Sequence, residues 1–171
     1  MRRLLLAVCC AATSLSAQES RSMVGLAAWK NKFPIETVTI PFTLDAPAAK
    51  AYAAVKESFA DLNLTIDKDD PTGGVIGIQL FKGQSTFAGY RMAKLFDCGD
   101  AAIGGPNANT YRLSIVFLTL VDRVDDGHTK LRIGLVASAV QPAGTRAEAV
   151  RCSSSGVLEQ KLVDLANAHL K

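Results

Sequence analysis

Histidine is scarce in this sequence, and no catalytic motif surrounds either copy. The 171 residues include two histidines, His128 and His169. A hydrolase needs a nucleophile, a base and an orienting group that converge in space. The sequence contains neither the HExxH motif of zinc proteases nor the GxSxG nucleophile elbow. His128 falls in an expected turn and His169 near the end of the last expected helix, so we predict that the protein is not an enzyme.

Motifs for metal ions, phosphate groups and nucleic acids are missing as well. An acidic run starts at Asp67, but position twelve of a calcium loop counted from there is Ile78 instead of the required glutamate. The glycines between positions 73 and 77 are not followed by GKS or GKT, which a phosphate-binding loop requires. With 19 basic against 16 acidic residues, the chain lacks the basic surface that binds nucleic acid. We therefore expect no cofactor, no metal ion and no nucleic-acid partner.

Long apolar runs are absent too, since none approaches the roughly 20 residues that a membrane-spanning helix needs. The N-terminus instead carries Arg2 and Arg3, nine apolar residues from Leu4 to Ala12, and small residues up to Ala17. This order is typical of a cleavable secretory signal. We predict a signal peptide over residues 1–17, cleavage near Ala17, and an exported mature protein that is periplasmic or extracellular, soluble and not membrane-spanning.

Cysteines are few, and cleavage of the signal would halve their number. It would remove Cys9 and Cys10 and leave Cys98 and Cys152. An even pair in an oxidising compartment favours a disulfide. That disulfide would close a ring of about 55 residues and stabilise the fold by roughly 4 kcal/mol in the loop-closure model. The alternative is a pair of unpaired, buried thiols.

Two parts follow the predicted signal. Residues 18–34 form an N-terminal arm of mixed composition, and residues 35–171 form a single α+β domain. Apolar residues of the arm recur at helical spacing, which is typical of a short helix that packs onto the domain; these are Met23, Leu26, Trp29 and Phe33.

The domain begins with a strand and a helix. Polar and apolar residues alternate from Thr37 to Leu44, which indicates a half-buried strand. Pro41 favours a position at the sheet edge, because proline cannot donate a ladder hydrogen bond. The segment Ala48–Leu62 has an apolar stripe at helical spacing, so we expect this face to pack on a sheet. Asp45 is the expected N-cap of this helix.

Further strands and a closing helix make up the remainder. The expected strands share apolar character and flanking turns, and cover residues 64–67, 75–81, 90–98, 110–122 and 129–140. Gly99–Asn109 is an expected loop, and long loops often carry binding sites. Gly156–Leu170 is the expected last helix. The order β-α-β-β-β-β-β-α predicts an antiparallel sheet of about five strands packed against two main helices, an α+β fold.

This order of elements resembles the small helix-grip-like domains of outer-membrane assembly lipoproteins of the BamC type. The resemblance lies in Thr37–Leu44, Ala48–Leu62, the hairpins and the Gly156–Leu170 helix, and covers most of the mature chain in topology only. It implies a helix-grip fold and a place in the bacterial envelope. It transfers no functional residue. The segment from Cys152 to Glu159 is similar to segments of secreted bacterial proteins.

Two functions from different classes follow from these observations. The first is a non-enzymatic envelope protein that binds another protein or assists an assembly. The alternative is a small apolar-ligand binder of the helix-grip type, in which candidate pocket walls, equally suited to be core residues, are Tyr52, Phe59, Tyr90 and Phe117. A hydrolase is a third hypothesis that no motif supports.

Overall fold

The structure, a computed structural model, describes residues 21–100, 104–142 and 148–171. The expected signal segment, the first residues of the arm and part of the Gly99–Asn109 loop lie outside the described residues. The described strands, in chain order, are β1 (Met23–Val24), β2 (Phe33–Pro34), β3 (Thr39–Leu44), β4 (Lys68–Asp70), β5 (Val75–Gly83), β6 (Thr86–Phe87), β7 (Tyr90–Arg91), β8 (Phe96–Asp97), β9 (Arg112–Arg123), β10 (Thr129–Val140) and β11 (Val150–Ser154). The helices are α1 (Ala48–Asp61), α2 (Met92–Leu95), α3 (Asn107–Thr110) and α4 (Val157–His169).

Seven of these strands form the main antiparallel sheet, in the order β4-β5-β9-β10-β11-β8, with β3 also paired to β10. Strands β9 and β10 pair along their whole length, from Thr129 opposite Arg123 to Val140 opposite Arg112. On its other side, β10 pairs first with β3 and then with β11. The α+β class is therefore confirmed, with seven strands in the main sheet where the sequence indicates about five.

Helices α1 and α4 pack together on one face of this sheet. Their buried side chains join the main hydrophobic core, in which the Phe59 and Phe117 rings lie 5.0 Å apart between centroids. The predicted N-cap of α1 is wrong, because Pro47 occupies that position and no side chain caps the helix. The first turn closes instead through the Ala51 N–H, which donates to the Pro47 carbonyl at 3.0 Å.

The N-terminal arm covers the opposite face of the sheet. Val24, Leu26 and Ile35 are buried there in a second hydrophobic core, together with sheet residues Val75, Val116, Leu118, Leu120 and Val136. The arm contains no helix over residues 23–34, so the predicted helix is wrong; β1 and β2 pair with each other instead. Gly25 and Pro34 disfavour a helix in this segment, and the pairing of Val24 with Phe33 holds it in an extended form.

Gly134 in β10 allows the close approach of this arm. A Cβ atom at that position would lie 2.7 Å from the Cγ1 atom of Ile35, well inside van der Waals contact. Ile35 itself is fully buried. The glycine therefore provides the space into which the first apolar residue after β2 packs.

Three strand predictions differ from the structure. The strand expected at 64–67 lies at Lys68–Asp70, because the Leu64 N–H still closes helix α1 by donating to Phe59 O at 2.9 Å. The strand expected over 90–98 is interrupted by the single turn of α2. Strand β11 is missing from the predicted set of strands.

The predicted disulfide is confirmed between Cys98 and Cys152, whose Cα atoms lie 4.2 Å apart. It directly follows the pairing of β8 with β11, in which Asp97 lies opposite Ser153. Both cysteines are buried. Within the described ranges, no helix combines the length and apolar character needed to cross a membrane.

Candidate functional site

A polar groove lies where the end of β5 meets the β6–β7 hairpin and α3. Its volume is about 410 Å³, and it is lined by Ser85, Thr86, Arg91 and Asn109. This volume is within the range of sites that hold a small molecule or a side chain. All four lining residues are exposed, so the groove is shallow and open to solvent.

The β6–β7 hairpin places Thr86 and Arg91 side by side. Thr86 pairs with Arg91 and Phe87 with Tyr90, and the two turn residues, Ala88 and Gly89, have φ angles of 49° and 78°. Two consecutive positive φ angles are those of a type I′ turn, the usual two-residue hairpin connection. Because side chains alternate along a strand, burial of Phe87 in the core leaves Thr86 and Arg91 on the outer face.

Ser85 is held in an unusual backbone conformation at the edge of the groove. Its φ angle of 82° lies in the left-handed region, which costs a residue other than glycine about 1 kcal/mol. The Met92 N–H donates to the Ser85 carbonyl at 2.9 Å and so fixes this conformation. Because Met92 is fully buried, this hydrogen bond attaches the Ser85 backbone to the core and fixes the point from which the Ser85 hydroxyl extends.

Asn109 enters the groove from α3. Its Oδ1 atom accepts a hydrogen bond from the Ala93 N–H at 3.3 Å, which leaves its Nδ2 group as a donor. The position of α3 depends on Asn107, whose Nδ2 group donates to the Cys98 carbonyl at 3.0 Å. The disulfide at Cys98 therefore supports the wall of the groove that carries Asn109.

The groove is rich in hydrogen-bond donors that have no partner among the described residues. In the described part of the chain, no acceptor contacts the Ser85 or Thr86 hydroxyl, the Asn109 Nδ2 group or the Arg91 guanidinium. The amide nitrogen and the guanidinium can only donate, and the hydroxyls can donate. This arrangement suits a ligand that presents oxygen acceptors, and it supplies a single positive charge.

The four aromatic residues that the sequence suggests as pocket or core have different positions. Phe59 and Phe117 are fully buried against each other in the core. Tyr52 lies at the margin, where its hydroxyl donates to Asp69 Oδ1 at 2.7 Å; burial and the Asp69 carboxylate raise the pKa of Tyr52. Tyr90 lies in β7 with the Lys94 ammonium 4.8 Å from its ring centroid. The small apolar ligand stays a prediction.

Both histidines contact carboxylates away from the groove. His128 Nδ1 lies 2.8 Å from Asp125 Oδ1, and the hydrogen bond and charge of Asp125 raise the pKa of His128. His169 lies 3.0 Å from Glu57 Oε2 and 2.8 Å from Asp61 Oδ2, so it links α4 to α1. Across the described residues, no group of three or more potential ligands could hold a metal ion.

Two further charged features lie outside the groove. Glu159 in α4 is 1% exposed, and its Oε2 atom has no hydrogen-bond partner among the described residues. Burial raises the pKa of Glu159, although a hydrogen bond from Ser154 opposes this effect. On the opposite face of the sheet, Asp122 accepts hydrogen bonds from Arg132 Nε at 2.7 Å and from Arg21. Asp122 thereby connects strands β9 and β10 to the N-terminal arm.

The sequence pattern does not single out the groove residues. Ser85, Thr86, Arg91 and Asn109 belong to no motif and are separated by up to 24 positions along the chain. One signal in the sequence points to part of the site. The small residues Ala88 and Gly89 lie between Thr86-Phe87 and Tyr90-Arg91. Two turn residues between short segments of this kind are typical of a tight hairpin.

Comparisons with protein-family models, with curated proteins and with solved structures found no match to this chain.

Proposed function

We propose that this chain is an exported, non-enzymatic binding protein of the bacterial envelope, and that its groove binds a partner protein. The observation that carries the proposal is the set of donors on Ser85, Thr86, Arg91 and Asn109 that find no acceptor within the described part of the chain. Donors that are exposed and fixed by the fold suit recognition of another molecule's acceptors. The four lining side chains supply no general base and no activated nucleophile, which favours binding over catalysis.

The envelope location has separate support. The order of charged, apolar and small residues over positions 1–17 is that of a secretory signal. The Cys98–Cys152 disulfide suits an oxidising compartment. Two helices on one face of an antiparallel sheet are compatible with the helix-grip-like resemblance, and that resemblance supports an assembly role within this proposal.

Site-specific crosslinking in living cells tests the function. A photoreactive amino acid at Thr86 faces the groove, and the matched control is the same amino acid at Lys161, an exposed position on α4. We expect a discrete crosslinked protein from Thr86 that is absent from Lys161, identified by mass spectrometry. If Thr86 gives no product beyond that seen from Lys161, groove-mediated partner binding is wrong.

A further inference from the structure

We infer that the groove takes a side-chain carboxylate from an acidic segment of the partner protein, with Arg91 as the ion-pairing residue. This inference rests on the proposed function and adds the chemistry of the partner.

The charge of the groove matches one carboxylate. Arg91 has no carboxylate within ion-pair distance in the described residues, whereas Arg21, Lys56 and Lys68 each pair with an aspartate. Arg91 is also the sole charged residue among the four that line the groove. One guanidinium neutralises one carboxylate, while a phosphate monoester, with a charge of about −1.5 to −2, would be left with excess negative charge.

The donors are placed for two carboxylate oxygens. A planar guanidinium can direct two parallel N–H groups at a carboxylate, and an ionised carboxylate offers about four acceptor positions. Thr86 lies opposite Arg91 in the hairpin, so its hydroxyl reaches the same ligand. The Nδ2 group of Asn109 and the Ser85 hydroxyl complete the set. The groove can therefore satisfy both oxygens of one carboxylate.

The exposure of the groove favours a polypeptide over a free small acid. All four lining residues are exposed, and an exposed ion pair adds little binding free energy on its own. A small carboxylate would consequently dissociate readily. An acidic segment of a protein adds contacts along the rim of the groove, and these contacts keep the carboxylate close to Arg91.

The first experiment repeats the Thr86 crosslinking with substitutions at Arg91. We expect Arg91→Gln to reduce the yield of the crosslinked product roughly threefold, the order expected for loss of an exposed ion pair, and Arg91→Lys to restore part of it. The matched control is Arg123→Gln, an exposed arginine at the far end of β9. A product that persists unchanged with Arg91→Gln overturns the inference and leaves the proposed function standing, whereas absence of any product overturns the proposed function.

The second experiment identifies the ligand chemistry by amide NMR of the purified, disulfide-bonded protein. The probes are a synthetic peptide rich in glutamate, the matched peptide with glutamine at those positions, sodium acetate and inorganic phosphate. We expect the glutamate peptide alone to shift the amides of residues 84–93 and 107–110 at sub-millimolar concentration. Equal shifts from the glutamine peptide, or stronger shifts from acetate or phosphate, would contradict a polypeptide carboxylate.

Discussion

At the residue scale, Glu159 shows how burial without a full set of partners affects stability. Glu159 is 1% exposed, and its Oε2 atom has no hydrogen-bond partner among the described residues. Because burial raises its pKa above the ordinary value of 4.5, the native state binds this proton more tightly than the unfolded state. The resulting stabilisation is complete below pH 4.5 and is lost as the pH rises through the native pKa.

We therefore predict that Glu159→Gln stabilises the protein at pH 7 by about 1 kcal/mol, because it removes the cost of burying an ionised carboxylate. Glutamine keeps the shape of the side chain but carries no charge. The measurement is the free energy of unfolding by denaturant between pH 4 and pH 8. The substitution should flatten the pH dependence above 4.5, and Glu148→Gln, at an exposed position, serves as the control. Equal destabilisation at all pH values would contradict the prediction.

Asp122 has the opposite pH dependence. Partial burial alone would raise its pKa, but hydrogen bonds and charges from Arg132 and Arg21 outweigh burial and hold the pKa of Asp122 below 3.8. The native state then binds this proton less tightly than the unfolded state. The stabilisation is present above pH 3.8 and is lost as the pH falls through the native pKa.

Asp122→Asn should lower the free energy of unfolding at pH 7 by about 2 kcal/mol, since it removes hydrogen bonds that involve charged groups. The difference from the wild-type protein should shrink as the pH is lowered below 3.8. The comparison is Asp126→Asn, whose partner is Arg123 and whose side chain is 92% exposed. Because solvent screens that pair, we expect little change. A similar loss in both variants would show that the Asp122 network adds nothing specific.

At the element scale, the arm is part of the folded domain. Residues 22–38 cover one sheet face through Val24, Leu26 and Ile35, and Arg21 connects the arm to Asp122. Trp29 stacks on Phe33, with ring centroids 5.0 Å apart. The spacing of the apolar residues correctly predicts that the arm packs on the domain. It does not predict the extended form, because the shape of the covered surface is a tertiary property.

Ile35→Ala should lower the free energy of unfolding by about 3 kcal/mol, as expected for truncation of a fully buried isoleucine beside a glycine that cannot fill the space. The matched variant is Ile40→Ala in β3, where the side chain is 38% exposed and the loss should be much smaller. Denaturant unfolding monitored by the fluorescence of Trp29 reports on the arm directly. Equal effects from both variants would argue against a tightly packed arm.

Elements with a regular local pattern are predicted more accurately than elements that depend on contacts between distant parts of the chain. Helix Ala48–Asp61 and strand Thr129–Val140 have long, regular apolar patterns, and the sequence predicts both nearly to the residue. Strand β11 is short and mixed in polarity, and its pairing with β10 depends on residues more than ten positions away. The groove is even harder to predict from the sequence, because the β6–β7 hairpin and α3 meet only in the folded chain.

At the scale of the whole molecule, the disulfide connects the groove to the sheet. Cys98 follows β8, Cys152 lies in β11, and the Cys98 carbonyl holds Asn107 in α3. The Ser155 N–H adds a second link by donating to the Leu95 carbonyl at 2.9 Å. The segment that carries two of the groove residues, Arg91 and Asn109, is thus attached to the last strand and helix at several points.

The double variant Cys98→Ser/Cys152→Ser should lower the free energy of unfolding by about 4 kcal/mol, the loop-closure value for the 54-residue separation. Because both sulfurs are buried, dithiothreitol should reduce the native protein slowly, and much faster in denaturant. The measurement is denaturant unfolding of the oxidised protein, the reduced protein and the double variant. Reduced protein and double variant should have the same free energy of unfolding. Their loss relative to the oxidised protein should exceed that of Ser155→Ala, which removes the donation of the hydroxyl to Lys94 O and its weak hydrogen bond from the Val157 N–H. A loss below about 1 kcal/mol would mean that the chain retains the closed arrangement without its covalent link, and that packing of α2 and α3 alone positions the groove.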